Sequence, residues 1–110
     1  MIPIGAAPSM TAFLIVRAEV PEADREAFDR WYQNEHLPDA VKAFKSISAE
    51  RGWSDVDPGV HMAFYEFEDL ARVRAVASSD AIKDMIKEFD RNWQDRVQRS
   101  REILEIKQKL

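Results

Sequence analysis

Apolar residues recur along this chain with two periods, and the period switches at recognisable punctuation. Thr11 to Val20 sets Phe13, Leu14, Ile15 and Val16 in succession, apolar on both faces as an interior strand covered on two sides requires. Pro21 supplies a helical first-turn φ, and Glu22 and Asp24 place negative charge at the positive end of a helix dipole. Ala27, Phe28, Trp31 and Glu35 follow with helical spacing and predict one core-facing stripe. Pro38 disfavours α geometry at Leu37, so the helix is expected to stop there or to kink into a short turn through Phe44. Lys45 to Trp53 alternates Ile47, Ala49 and Arg51 against Ser46, Ser48 and Glu50, a half-exposed strand.

Ser54 to Gly59 carries turn chemistry, and Val60 to Glu68 reads as a second interior strand. Asp69 caps a short helix through Ala77. Ser78-Ser79-Asp80 offers a second cap, after which Ile82, Met85, Ile86, Phe89, Trp93 and Val97 form a long apolar stripe. The charged run from Lys83 to Arg101 is then the solvated side of that helix, and Glu102 to Ile106 forms a last, edge strand.

The order β-α-β-β-α-β predicts an α+β, ferredoxin-like fold: a four-stranded antiparallel sheet with both helices on one face. Nothing remains in the chain to cover the other face. If Leu14 and Val16 point at the helices, Phe13, Ile15 and Arg17 point away; on the second interior strand either Val60, Met62 and Phe64 or His61, Ala63, Tyr65 and Phe67 do. Each choice leaves an apolar surface of roughly 450 Å² in projection, more than a monomer usually leaves bare. The expectation is a homodimer in which two sheets pack face to face and enclose a chamber.

Composition narrows the function classes. One core fits into 110 residues, so a single domain is expected over residues 11–110, behind a loose or extended tail at residues 1–10. Met10 is an alternative natural start within that scheme. The tail has no basic n-region or long apolar h-region, and the apolar run Ala12 to Val16 is far shorter than a membrane span. A net charge of -4, with basic residues interleaved among acids, argues against a nucleic-acid partner. The absence of cysteine removes thiol nucleophiles and zinc-thiolate sites and fits a cytoplasmic protein. Two histidines far apart make a poor metal set, one strand histidine is a thin basis for haem, and three glycines form no phosphate loop. No cofactor is expected.

The segment Phe28-x-x-Trp31-Tyr32-x-x-Glu35-His36-Leu37-Pro38-Asp39, with the element order, resembles the dimeric α/β-barrel superfamily and its EthD-like relatives. The likeness runs from about Thr11 to Lys107. It implies a dimeric barrel with a small lumen, and an activity among cofactor-independent monooxygenases, lactone isomerases, polyketide cyclases and haem-degrading enzymes, or none assigned.

His36, near a helix C-terminus, is a candidate proton-transfer group whose other role is to cap the last carbonyls or pair with Glu35 or Asp39. His61 shares a strand face with Tyr65 and, by standard pairing, approaches Arg17; the three offer a set for an enolate or carboxylate. Arg17 and His61 are also placed to bond a partner subunit or water at the strand ends. Tyr32, Trp53 and Phe13 are candidate substrate contacts, the other aromatics core. Three functions stay open: acid-base chemistry of isomerase or cyclase type on a small apolar, aromatic or lactone-like metabolite, ligand binding without turnover, and cofactor-independent oxygenation.

Overall fold

The computed structural model describes residues 10–110; the expected tail at residues 1–9 lies outside the described residues. Four strands, β1 (Ala12–Glu19), β2 (Ser48–Trp53), β3 (Val60–Phe67) and β4 (Gln98–Glu105), form one sheet in the order β2-β3-β1-β4. All neighbouring pairs are antiparallel. The two apolar-on-both-faces segments occupy the two central positions, where both edges are paired with neighbouring strands. The half-polar segments lie at the edges.

The helical layer covers one face. A 3₁₀ turn at Glu22–Asp24 leads into α1 (Arg25–Trp31), a π-helical segment (Tyr32–His36) and α2 (Leu37–Phe44), followed after β3 by α3 (Leu70–Ala77) and α4 (Asp80–Trp93). Asp69 caps α3 by accepting from the Arg72 amide at 2.8 Å, and Ser79 caps α4 through the Ile82 amide. Both caps stand where a short polar side chain precedes an apolar stripe.

Pro38 does not end the helix. It sits in the first turn of α2, where its missing N–H costs nothing, and the preceding π turn absorbs the ring. The Leu37 amide reaches back to the Tyr32 carbonyl, the i→i−5 bond of a π turn. That extra residue rotates the expected stripe: Phe28, Trp31, Tyr32 and His36 are buried, while Ala27 and Glu35 face solvent.

The long last helix is shorter than its apolar stripe. It ends at Trp93, and Gln94 turns the chain at φ 53°. Val97 is buried in the connection, and β4 begins at Gln98 rather than at Glu102. Arg99 and Arg101 therefore stand on a strand, not on a solvated helix face.

Register settles which strand faces meet the helices. Leu14 pairs with Tyr65, Val16 with Ala63 and Ala18 with His61, so these residues share the covered face with Phe67 and Ala12. The open face carries Phe13, Ile15, Met62, Phe64 and Leu104, rimmed by Arg17, Glu19, Glu50, Glu66 and Glu102. Its apolar centre is partly self-shielded, with Ile15 buried and Leu104 about half exposed.

Candidate functional site

The site lies between the helices and the covered face of the sheet, within one chain. The register does not gather Arg17, His61 and Tyr65 on one face, as the sequence had led one to expect. Arg17 pairs with Met62 and points to the open face, where it bonds Glu19 at 3.2 Å. Phe13 also lies there. His61 and Tyr65 face the helices, so the proposed His61–Tyr65–Arg17 set is not assembled.

A recess opens beneath α4, lined by Leu14, Val16, His36, Phe44, Tyr65, Ile82, Met85, Ile86, Phe89, Arg99 and Arg101. Its enclosed volume of ≈ 20 Å³ has room for about one water molecule. It shares Leu14, Ile82, Ile86 and Arg101 with a groove of ≈ 320 Å³ between α4 and β4, whose other walls are Ala77, Glu102 and Ile103.

His36 comes from the π segment and lies flat against Trp31, with ring centroids 4.4 Å apart and planes 19° from parallel. Tyr32 and Phe89 contact it edge-on. Burial, followed by the nearby Arg99 guanidinium, lowers its pKa to about 4, so the ring is neutral at pH 7. Nδ1 is sealed without a hydrogen-bond partner, 3.7 Å from Glu88 Oε1 and beyond bonding reach, and the ring lines the recess. Its carboxylate neighbour is thus Glu88 from α4, not Glu35 or Asp39. Burial, then the charges of Asp39 and Glu35, raise the Glu88 pKa.

Tyr65 also lines the recess, with the Tyr32 phenol near enough to influence its ionisation. Burial dominates for both phenols, pushing Tyr32 up to about 12 and Tyr65 well above 10, so neither is a phenolate near neutrality.

His61 does not reach the recess. Arg51 Nη1 bonds Asp29 Oδ1 at 2.8 Å and lies 3.3 Å from His61 Nε2, while Trp53 Nε1 donates to the same Asp29 oxygen at 2.8 Å. A guanidinium only donates, so His61 Nε2 accepts and the ring proton is assigned to Nδ1, which is sealed and unpartnered. Burial, then Arg51, lower the His61 pKa to about 4. Bonds from Arg51, then from Trp53, hold Asp29 below the usual carboxylate range. Tyr32 bridges the two histidines, its ring centroid 4.4 Å from His61 and 4.9 Å from His36.

Of the seven residues expected at a site, His36 and Tyr65 line the recess; Tyr32, His61 and Trp53 stand behind it; Arg17 and Phe13 are on the far face. The recess residues that sequence reasoning missed are Arg99 and Arg101, with Glu88 beside His36. Alternation from Arg99 to Arg101 to Ile103 is a strand signal, but it was masked by the apolar helical stripe continuing to Val97.

No family model and no curated protein matches the chain. Solved structures share its fold. An EthD family protein from Bacillus halodurans is 22% identical with a TM-score of 0.67, over 86% of this chain and 96% of that one. A dimeric ferredoxin-like protein from an uncultured marine organism is 14% identical with a TM-score of 0.70, over 93% of this chain and all (100%) of that one. SnoaB, a cofactor-independent oxygenase from Streptomyces nogalater, is 9% identical with a TM-score of 0.63, over 93% and 98%. The fold is ferredoxin-like, of the kind found in EthD-like and monooxygenase-like proteins, as the Trp31-to-Asp39 segment led one to expect. Among the described residues no helix is long and apolar enough to cross a membrane, and no cluster of three or more ligating side chains stands ready for a metal.

Proposed function

We propose that the protein is a cytoplasmic homodimer that takes a small, largely apolar metabolite into the groove under α4 and moves a proton on it with His36. The observation that carries this reading is a buried, neutral imidazole that lines a recess together with Arg99 and Arg101 among mainly apolar walls. Such a ring accepts a proton from an acidic C–H or O–H, leaving an enolate or phenolate, while Arg99 and Arg101 offset the charge that develops. Redelivery of the same proton to another carbon completes an isomerisation. Addition of the carbanion to a second carbonyl, with the proton passed to the new alkoxide, completes a cyclisation. Tyr65, whose pKa burial raises well above 10, positions rather than titrates.

Dimer formation is supported by the open face, an apolar centre with a charged rim, as in protein interfaces, and by the likeness to a dimeric ferredoxin-like protein. The likeness to a cofactor-independent oxygenase favours one second reading, in which the phenolate formed at His36 reacts with dioxygen. Both begin with the same deprotonation.

The test is hydrogen–deuterium exchange into a panel of small lactones, ketones and phenols in D₂O, followed by NMR, with dissolved oxygen recorded in parallel. Catalysed exchange that disappears in His36→Ala supports the reading, and oxygen uptake selects the oxygenase branch. Tight binding of panel members with neither exchange nor uptake leaves a binding protein and rejects catalysis.

A further inference from the structure

The recess and the groove meet at Arg101, and the charge balance there is uneven. Arg99 and Arg101 are two residues apart on the covered face of β4, so both guanidinia point toward α4. Arg99 is compensated twice: it bonds Asp90 Oδ1 at 2.7 Å and lies 4.1 Å from the centre of the Phe89 ring. Arg101 has no such partner; among the described residues no carboxylate lies within ion-pairing distance of it. Its side chain is exposed at the groove, and partial desolvation, then Arg99, draw its pKa down. Glu102 lines the groove but alternates to the opposite face of the strand. The remaining walls, Leu14, Ala77, Ile82, Ile86 and Ile103, are apolar.

A neutral apolar ligand filling this groove would strip water from an unpaired guanidinium, which opposes binding. A phosphate dianion would carry a second negative charge that one free guanidinium leaves uncompensated. A carboxylate matches the planar fork with two parallel hydrogen bonds and leaves the rest of the ligand to the aliphatic walls. The groove's volume is near the lower end of the ~300–1,000 Å³ typical of small-molecule sites, which suits a body of one or two rings. The recess admits only a small group, such as the oxygen-bearing end presented to His36.

We infer that the metabolite is a small apolar carboxylate whose charged end is held by Arg101 at the junction of groove and recess. This deepens the function proposed above and rests on it for the location of the reacting end. An anion bound there also favours the imidazolium that His36 forms on accepting a proton, countering the effect of Arg99.

The experiment compares 1-naphthoate with 1-naphthalenemethanol, similar in size but uncharged, in NMR titrations of the full chain. The wild-type protein is expected to bind naphthoate about tenfold more tightly, as for one charge-assisted bidentate contact, with shifts at Ile82, Ile86 and Ile103. In Arg101→Met the preference falls to about one, naphthoate binding weakening and alcohol binding no weaker than before, whereas Arg17→Met, altered on the far face, keeps it. The inference is overturned if wild type does not discriminate, if naphthoate does not bind at millimolar concentration, or if Arg101→Met keeps the preference. The catalytic reading is judged separately: His36→Ala is expected to keep the naphthoate preference while losing proton exchange. If His36→Ala leaves exchange intact, the catalytic reading falls while Arg101 recognition stands.

Discussion

Trp31 and His36 are five residues apart, yet their rings stack at 4.4 Å. In an α-helix positions i and i+5 point about 140° apart. The π turn at Tyr32–His36 brings them to one side by inserting a residue into the helical repeat, and it does so beside Pro38. The local irregularity that lets the proline stay in the helix is thus the one that turns the imidazole into the recess. Single π turns recur at functional sites for this reason: they aim a side chain that the regular repeat would point elsewhere.

Trp31→Ala tests this arrangement. Loss of a buried indole should destabilise the fold by about 3–5 kcal/mol, read from chemical denaturation. With one face of the imidazole opened to water, the His36 pKa should rise from about 4 toward 6.5 in an NMR titration. An unchanged titration would show that the stack does not shield the ring.

Two buried neutral histidines give the protein a specific acid sensitivity. Both folded-state pKa values are depressed from 6.5 to about 4, so the unfolded chain binds protons first as the pH falls. Stability should therefore be full above about 6.5, decline between 6.5 and 4, and level off with respect to these groups below. Asp29, with its pKa lowered, contributes stability that is lost only below that window. Glu88, with a raised pKa, acts in the opposite direction near the carboxylate range. Thermal melts from pH 7 to pH 4 should show the decline, and His36→Leu should flatten it; the same slope in the variant would contradict the assignment.

Catalysis, if limited by free His36, should follow the same value with its own sign. The base must be unprotonated, so kcat/KM should stay flat from pH 8 to pH 5 and fall only as the pH approaches about 4. Initial rates over the range where circular dichroism reports a folded protein provide the measurement. A fall centred on 6.5 would mean that the working imidazole is exposed to water.

Much of this fold was legible because its signals were local. Pro21, Asp69 and Ser79 mark helix starts by their own backbone chemistry, and the structure places helices after each. The facing of the strands was not legible, because β1 and β3 are apolar on both sides and alternation cannot choose between two greasy faces. That choice decided whether Arg17 could meet His61. The π turn escaped detection because one inserted residue looks, in a 3.6-residue pattern, like noise around Pro38. The end of α4 escaped because Gln94 takes a positive φ without glycine or proline to announce it. Both misses fell on the site: one moved His36 inward, and the other put Arg99 and Arg101 on a strand.

The Asp29–Arg51–His61 group behind the site is structural on this reading. Arg51→Met removes the donor to His61 Nε2 and one partner of Asp29, leaving a buried acceptor unpaired. A loss of about 1–3 kcal/mol is expected, with proton exchange on bound ligand largely preserved. Abolished exchange in a stably folded Arg51→Met protein would move this group into the chemistry.

The open face makes a separate prediction. Phe64 lies at its centre beside Ile15, and a standard interface buries ~800 Å² per partner around such a centre. Phe64→Glu should yield a folded monomer in sedimentation while wild type sediments as a dimer at micromolar concentration. A wild-type monomer would remove the dimer from the account without touching the recess.

The most direct test of the central claim, that ligand chemistry occurs at His36 between helices and sheet, is a titration of the His36 ring nitrogens by ¹⁵N NMR with and without 1-naphthoate. The account predicts that the ligand perturbs His36 Nε2 and raises its pKa above the unliganded value of about 4. Unmoved His36 resonances, with shifts instead at Phe13, Met62 and Phe64 on the far face, would contradict it.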